Sequence, residues 1–159
     1  MVNDMKMENI VKRMIDLGIT ISTMESCTGG YIASNITNIE GSSSVFSYGA
    51  VTYSNYFKEK MGVSKDIIDK YSVYSIEVAR EMAKVICKYA NSSIGLGITG
   101  KLNRGDVNNN YGKNNYVYVS LYSDGKYEDL VIKLDDGDRL SCKEKVLDYV
   151  VRMLDLFIK

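Results

Sequence analysis

The stretch Ile19-Thr20-Ile21-Ser22-Thr23-Met24-Glu25-Ser26-Cys27-Thr28-Gly29-Gly30-Tyr31-Ile32-Ala33-Ser34-Asn35-Ile36 decides the fold. Residues 19–24 are apolar or β-branched and read as a strand. Residues 28–39 read as a helix entered through two glycines. A hydroxyl, a thiol and two glycines therefore stand where a strand turns into a helix. Free backbone N–H groups and the helix dipole favour an anion at such a place. Glycine lets a ligand come close to the main chain.

The same alternation continues on both sides. Residues 3–17 read as an amphipathic helix, with Met7, Ile10, Val11, Met14 and Leu17 at helical spacing and Gly18 as C-cap. Gly41-Ser42-Ser43-Ser44 is a loop, and residues 45–53 are a second strand rich in Val, Phe, Tyr and Thr. Residues 55–61 and 64–71 are short helices, N-capped by Ser54 or Asn55 and by Ser64. Ser75 opens a longer helix, in which Val78, Met82, Val85, Ile86 and Tyr89 share a face. Residues 93–99 are a short apolar strand ending in Thr99-Gly100, and 101–115 are a polar loop rich in Asn and Gly. Residues 116–122 and 127–134 form a hairpin around Ser123-Asp124-Gly125-Lys126. A last helix from Gly137 carries Val146, Val150, Leu154 and Phe157. The expectation is one α/β domain over residues 1–159, a three-layer α/β/α sandwich with a mixed sheet.

Composition narrows the chemistry. The chain has 159 residues, 45% of them hydrophobic, which suits one well-buried domain. Lys+Arg and Asp+Glu both number 20, and no basic block points to nucleic acid. No apolar run approaches the roughly 20 residues of a membrane span and no signal peptide opens the chain, so no membrane partner and a cytoplasmic location are expected. Histidine is absent, which excludes Ser-His-Asp and Cys-His catalysis within the chain. Cys27, Cys87 and Cys142 are far apart and form neither a zinc pattern nor a disulfide framework. Hydrolysis would have to use Ser, Thr, Cys, Lys, Tyr or carboxylates, and no metal or cofactor is expected.

Lys58 is the first candidate base. It lies just past a strand end, near Tyr53 and fifteen residues after Ser43. A lysine replaces histidine as the base for a serine once its pKa comes down from about 10.4 to about 7–8, which takes a partly desolvated site. Ser26 and Ser43 are the two candidate hydroxyls. Cys27 competes as nucleophile at a helix start, but no base partner is evident, and a small buried residue behind the loop is the simpler reading. The run Asp135-Asp136-Gly137-Asp138-Arg139 is a turn and helix cap that also presents an arginine fork suited to phosphate or carboxylate.

Taken together, Glu25-Ser26-Cys27-Thr28-Gly29-Gly30, Gly41-Ser42-Ser43, Val51-Thr52-Tyr53-Ser54-Asn55 with Lys58, and Ile98-Thr99-Gly100 resemble the CinA C-terminal domain family of competence/damage-inducible proteins. Order and spacing match over residues 9–139, and many members carry another domain before this one. The resemblance implies pyridine-nucleotide salvage chemistry: hydrolysis of nicotinamide mononucleotide to nicotinate mononucleotide and ammonia. It implies a homo-oligomer whose partner is a small pyridine nucleotide. Lys58 would be the base, Ser43 or Ser26 the nucleophile, and Tyr53 with the other serine would position the amide. Thr28, Gly29 and Gly30 would hold phosphate or the oxyanion, with Thr99, Gly100 and Arg139 completing the substrate site. One departure stands out. Where the family continues I-A-G-P after T-G, this chain has Lys101-Leu102-Asn103-Arg104-Gly105, and Tyr116 stands where the family has a glycine. An altered pocket follows from that. The alternative is a degenerate member that binds a nucleotide or a protein without catalysis.

Overall fold

The computed structural model describes residues 2–103 and 113–158. The chain runs α1 (Val2–Leu17), β1 (Ile21–Glu25), α2 (Tyr31–Thr37), a 3-10 turn (Ser42–Ser44), β2 (Phe46–Val51), α3 (Asn55–Lys60), α4 (Lys65–Tyr71) and α5 (Ile76–Ala90). It continues through β3 (Ile94–Gly100), β4 (Tyr116–Ser123), β5 (Lys126–Lys133) and α6 (Arg139–Phe157). Residues 104–112 of the expected 101–115 loop lie outside the described residues. The helix starts follow side-chain caps: Ser54 accepts from the Phe57 N–H, Ser64 from Ile67, Ser75 from Val78 and Asp138 from Ser141. Each cap satisfies an N–H that the first turn leaves unpaired.

Among the described residues the strands form one mixed sheet in the order β2-β1-β3-β4-β5. β1 is parallel to β2 and to β3, while β3–β4 and β4–β5 are antiparallel. Strand parity sorts the two faces. Ile94, Leu96 and Ile98 of β3, with Val117, Val119 and Leu121 of β4, pack under α1, α2 and α6. On the other face Met24 packs with Val63, Ile68 and Val73 and with Val78, Met82 and Ile86 of α5. The architecture is the three-layer α/β/α sandwich with a mixed sheet.

Two periodicity readings need correction at their ends. Leu17 and Tyr89 lie on the polar side of their helices, 55% and 64% exposed. The face that α5 turns to β3 is instead made by small residues. A Cβ on Gly95 would overlap the Ala83 carbonyl oxygen, and one on Gly97 the Ala79 carbonyl oxygen. Glycine on the strand and alanine on the helix let α5 lie close over the sheet.

After β1 the chain crosses to β2 on one side, and after β2 it returns to β3 on the other. The strand order reverses beside the carboxyl ends of β1 and β3. In open α/β sheets that is where the crevice for a ligand forms.

Candidate active site

The turn after β1 is built from the backbone outward. The Ser26 N–H donates to the Ile98 carbonyl at 3.0 Å, and the Ser26 carbonyl accepts from the Gly29 N–H at 3.0 Å. Gly29 and Gly30 have φ of +62° and +95°, conformations that other residues adopt at a cost. These two residues keep the chain out of helical geometry, so α2 begins at Tyr31 rather than at residue 28. The buried Glu25 carboxylate turns back beneath the loop. It accepts from the Thr28 hydroxyl at 2.6 Å and from the Ile32 and Ala33 N–H groups at 3.0 Å each. The anion position at the start of α2 is therefore occupied by the chain's own carboxylate. The Thr28 hydroxyl and the Ile32 and Ala33 N–H groups thus serve Glu25, and the Thr28 and Gly30 N–H groups are not part of that cap.

Lys58 comes from the next β-to-α unit. The Thr52 N–H pairs with the Glu25 carbonyl at 2.9 Å, which carries the β1–β2 ladder past the strand ends. Ser54 then caps α3 and places Lys58 in its first turn and a half. The Lys58 side chain points into the crevice and is 2% exposed. Its Nζ donates to the Ser26 Oγ at 3.0 Å and to the Thr52 carbonyl at 2.7 Å. Ser26 is itself buried. A neutral amine in the same place would reverse the first bond and take the hydroxyl proton.

Ser43 is not brought to this pair. The turn Ser42–Ser44 precedes β2, and the start of β2 pairs with the start of β1, Phe46 beside Ile21. Ser26 and Lys58 follow the opposite ends of those parallel strands. Five residues of extended chain separate the two sheet edges by roughly 16 Å. Ser43 is exposed there.

Tyr53 and Arg139 meet at the rim. Arg139 Nη2 donates to the Tyr53 Oη at 2.7 Å and Nη1 to the Leu102 carbonyl at 3.0 Å. Thr99 is buried beside Ser26, and its hydroxyl donates to the Val73 carbonyl at 2.7 Å, so it braces the segment before α5. Gly100 is required by close packing: a Cβ there would stand 2.5 Å from the Tyr116 carbonyl oxygen. Cys27 is buried, and that burial pushes its thiol from the ordinary 9.0 up to about 12, against the opposing pull of Lys58. A thiol so placed stays protonated at neutral pH and is a poor nucleophile.

Three contributors carry no signal that sequence reasoning used. Glu25 acts as a cap across seven and eight residues, outside the capping-box spacing. Asn115 is buried, accepts from the Asn103 N–H at 2.6 Å and donates to Asp136 at 2.8 Å, so it ties the 101–103 segment to the turn before Arg139. Lys143 of α6 places its ammonium 3.5 Å from where a Gly29 Cβ would be. Among the described residues no group of three or more His, Cys, Asp or Glu is placed to hold a metal ion. No described helix is long and apolar enough to cross a membrane.

The family model described as the CinA C-terminal domain matches residues 3–158. This chain belongs to the CinA C-terminal domain family. It is 41% identical over 161 residues to a CinA-like protein of Kosmotoga olearia, covering 96% of this chain and 38% of that protein. It is 51% identical over 100 residues to a putative competence-damage inducible protein of Alkaliphilus oremlandii, covering 62% of this chain and 24% of that protein. The chain thus spans about a quarter to two fifths of the length of these curated relatives. Among solved structures, the competence/damage inducible protein CihA of Agrobacterium tumefaciens superposes with a TM-score of 0.86 at 26% identity, covering 97% of this chain and 96% of that one. A competence or damage-inducible protein of Enterobacter asburiae gives a TM-score of 0.90 at 22% identity, over 99% and 98% of the two chains, and so shares the fold.

Proposed function

We propose that this CinA-family chain is a nicotinamide-nucleotide amidohydrolase, with Ser26 as nucleophile and Lys58 as general base. The observation that carries the reading is the buried Lys58 ammonium, 3.0 Å from the Ser26 hydroxyl at the switch-point crevice. With Lys58 neutral, the Ser26 Oγ attacks the carboxamide carbon of nicotinamide mononucleotide while Lys58 takes the hydroxyl proton. The tetrahedral intermediate breaks its C–N bond, and Lys58 returns the proton to the leaving ammonia. Lys58 then takes a proton from water, which attacks the acyl-enzyme carbon. Nicotinate mononucleotide leaves as the C–O bond to Ser26 breaks, and the proton goes back to the serine. The Thr28 and Gly30 N–H groups have no acceptor among the described residues and are the available oxyanion donors. The Tyr53–Arg139 pair closes the rim over the ligand.

The test is ammonia release from nicotinamide mononucleotide by purified protein. Activity should fall about 10²–10⁴-fold in Lys58→Met. Ser26→Ala should be inactive, while Ser43→Ala should retain wild-type rate. No release by folded protein between about pH 6 and 9 refutes the reading. A dead Ser43→Ala with a live Ser26→Ala reverses the assignment of the nucleophile.

A further inference from the structure

A second buried lysine follows the end of β3, the strand beside β1. Lys101 follows β3 and is 4% exposed. Its ammonium lies over the Tyr74 ring, 4.8 Å from the centroid. Among the described residues that ammonium makes no hydrogen bond and no ion pair. A ring face offsets only part of the cost of burying a cation, and a buried charge normally stands opposite a counter-charge. The register places Glu25 beside Ile98, so Ser26 adjoins Thr99, and Lys101 follows two residues and roughly 7 Å further along the chain. The reacting hydroxyl and this cation therefore follow the adjoining carboxyl ends of β1 and β3.

Three other described places for an anion are already engaged or less enclosed. Glu25 fills the start of α2, and its charge would repel a second anion there. Arg139 already donates to Leu102 and Tyr53. Lys143 approaches the outer side of Gly29 and is only part-buried.

We propose that Lys101 is the phosphate-binding cation of this site, forming a subsite for the phosphate monoester of a mononucleotide. The assignment rests on the amidohydrolase reading for the identity of the ligand, because that ligand carries its phosphate one ribose away from the reacting amide. Lysine suits the role as a compact charge with three donors. Tyr74 holds the ammonium in place before the ligand arrives.

Titration calorimetry on the full chain compares nicotinamide mononucleotide with nicotinamide riboside, which lacks the phosphate. Wild-type protein should prefer the mononucleotide. Lys101→Met should weaken mononucleotide binding roughly 10- to 100-fold, the loss of one charge-assisted contact, and leave riboside affinity within about twofold. Lys101→Arg should recover part of the preference. If Lys101→Met does not fold, Lys101→Gln is read in the same way. The proposal is overturned if the preference survives neutralisation of Lys101, if Lys143→Met abolishes it instead, or if the wild type does not prefer the phosphorylated ligand. A silent ammonia assay with a Lys101-dependent preference rejects hydrolysis and leaves the subsite standing. Ammonia release with an unchanged preference in Lys101→Met does the reverse.

Discussion

Replacing Glu25 tests how the nucleophile loop is held. In Glu25→Ala the Ile32 and Ala33 N–H groups, each now 3.0 Å from the carboxylate, lose their acceptor inside the protein. The Thr28 hydroxyl can rotate to a new partner, but those two backbone donors cannot. An unsatisfied buried donor costs about 1–3 kcal/mol, and removing a buried charge from a helix start costs up to about 2 kcal/mol more. Water entering the gap recovers part of this, so a loss of about 3–5 kcal/mol is expected. That is a large share of the roughly 5–15 kcal/mol that holds a domain together. Glu25→Gln keeps one acceptor oxygen but turns an NH₂ group towards one of the donors, so it should lose about 1.5–3 kcal/mol. Urea denaturation followed by circular dichroism measures both variants. The expected order of stability is wild type, Gln, Ala. An alanine variant within about 1 kcal/mol of wild type would show that water satisfies the start of α2 as well as the carboxylate does.

Three further outcomes follow from the geometry. Lys58→Arg should fold and be inactive in the ammonia assay, because a guanidinium stays charged and cannot take the Ser26 proton; near wild-type turnover would remove Lys58 as base. Gly97→Ala should lose at least about 1–3 kcal/mol in denaturation, since the new methyl would overlap the Ala79 carbonyl and meet the Ala83 backbone nitrogen at 2.7 Å, atoms that cannot rotate away; an unchanged midpoint would refute the close packing of α5. Cys27 gives a pH signature. Its thiol ionises near 9.0 when exposed and near 12 when folded, so between those values the unfolded chain binds fewer protons and stability falls as pH rises, by about 1.4 kcal/mol per pH unit. Cys27→Ala should flatten that alkaline slope, and parallel slopes for the two proteins would count against burial as its cause.

Periodicity and capping make most of the fold legible in the sequence. Ser54, Ser64 and Ser75 announce α3, α4 and α5 because a hydroxyl before an apolar pattern has a local use, and each accepts the expected N–H. The start of α2 is hidden in the sequence because two left-handed glycines interrupt a helical pattern without changing its composition. The pairing of Ser26 with Lys58 was within reach, since both follow strands that turn out to be parallel neighbours. Ser43 looked equivalent to Ser26 because a one-dimensional reading does not say at which end of a strand a loop emerges. Glu25 and Asn115 act on partners beyond the local spacing rules, so their roles appear only with the tertiary contacts. Lys101 was visible as a departure from the family pattern, and its burial was not.

The origin of the reacting pair has an evolutionary consequence. Ser26 lies on the loop after β1 and Lys58 on α3, after β2, within one continuous run of 33 residues. Lys101 and Arg139 come from after β3 and from the start of α6, in the later part of the chain. Under the proposed chemistry, bond breaking and ligand choice are therefore written in separable parts of the gene. Substitutions after residue 100 can exchange one anionic ligand for another while the serine–lysine contact keeps its geometry. Recombination between relatives with a crossover near Gly100 should accordingly produce chimaeras that retain the hydrolytic pair and differ in what they accept.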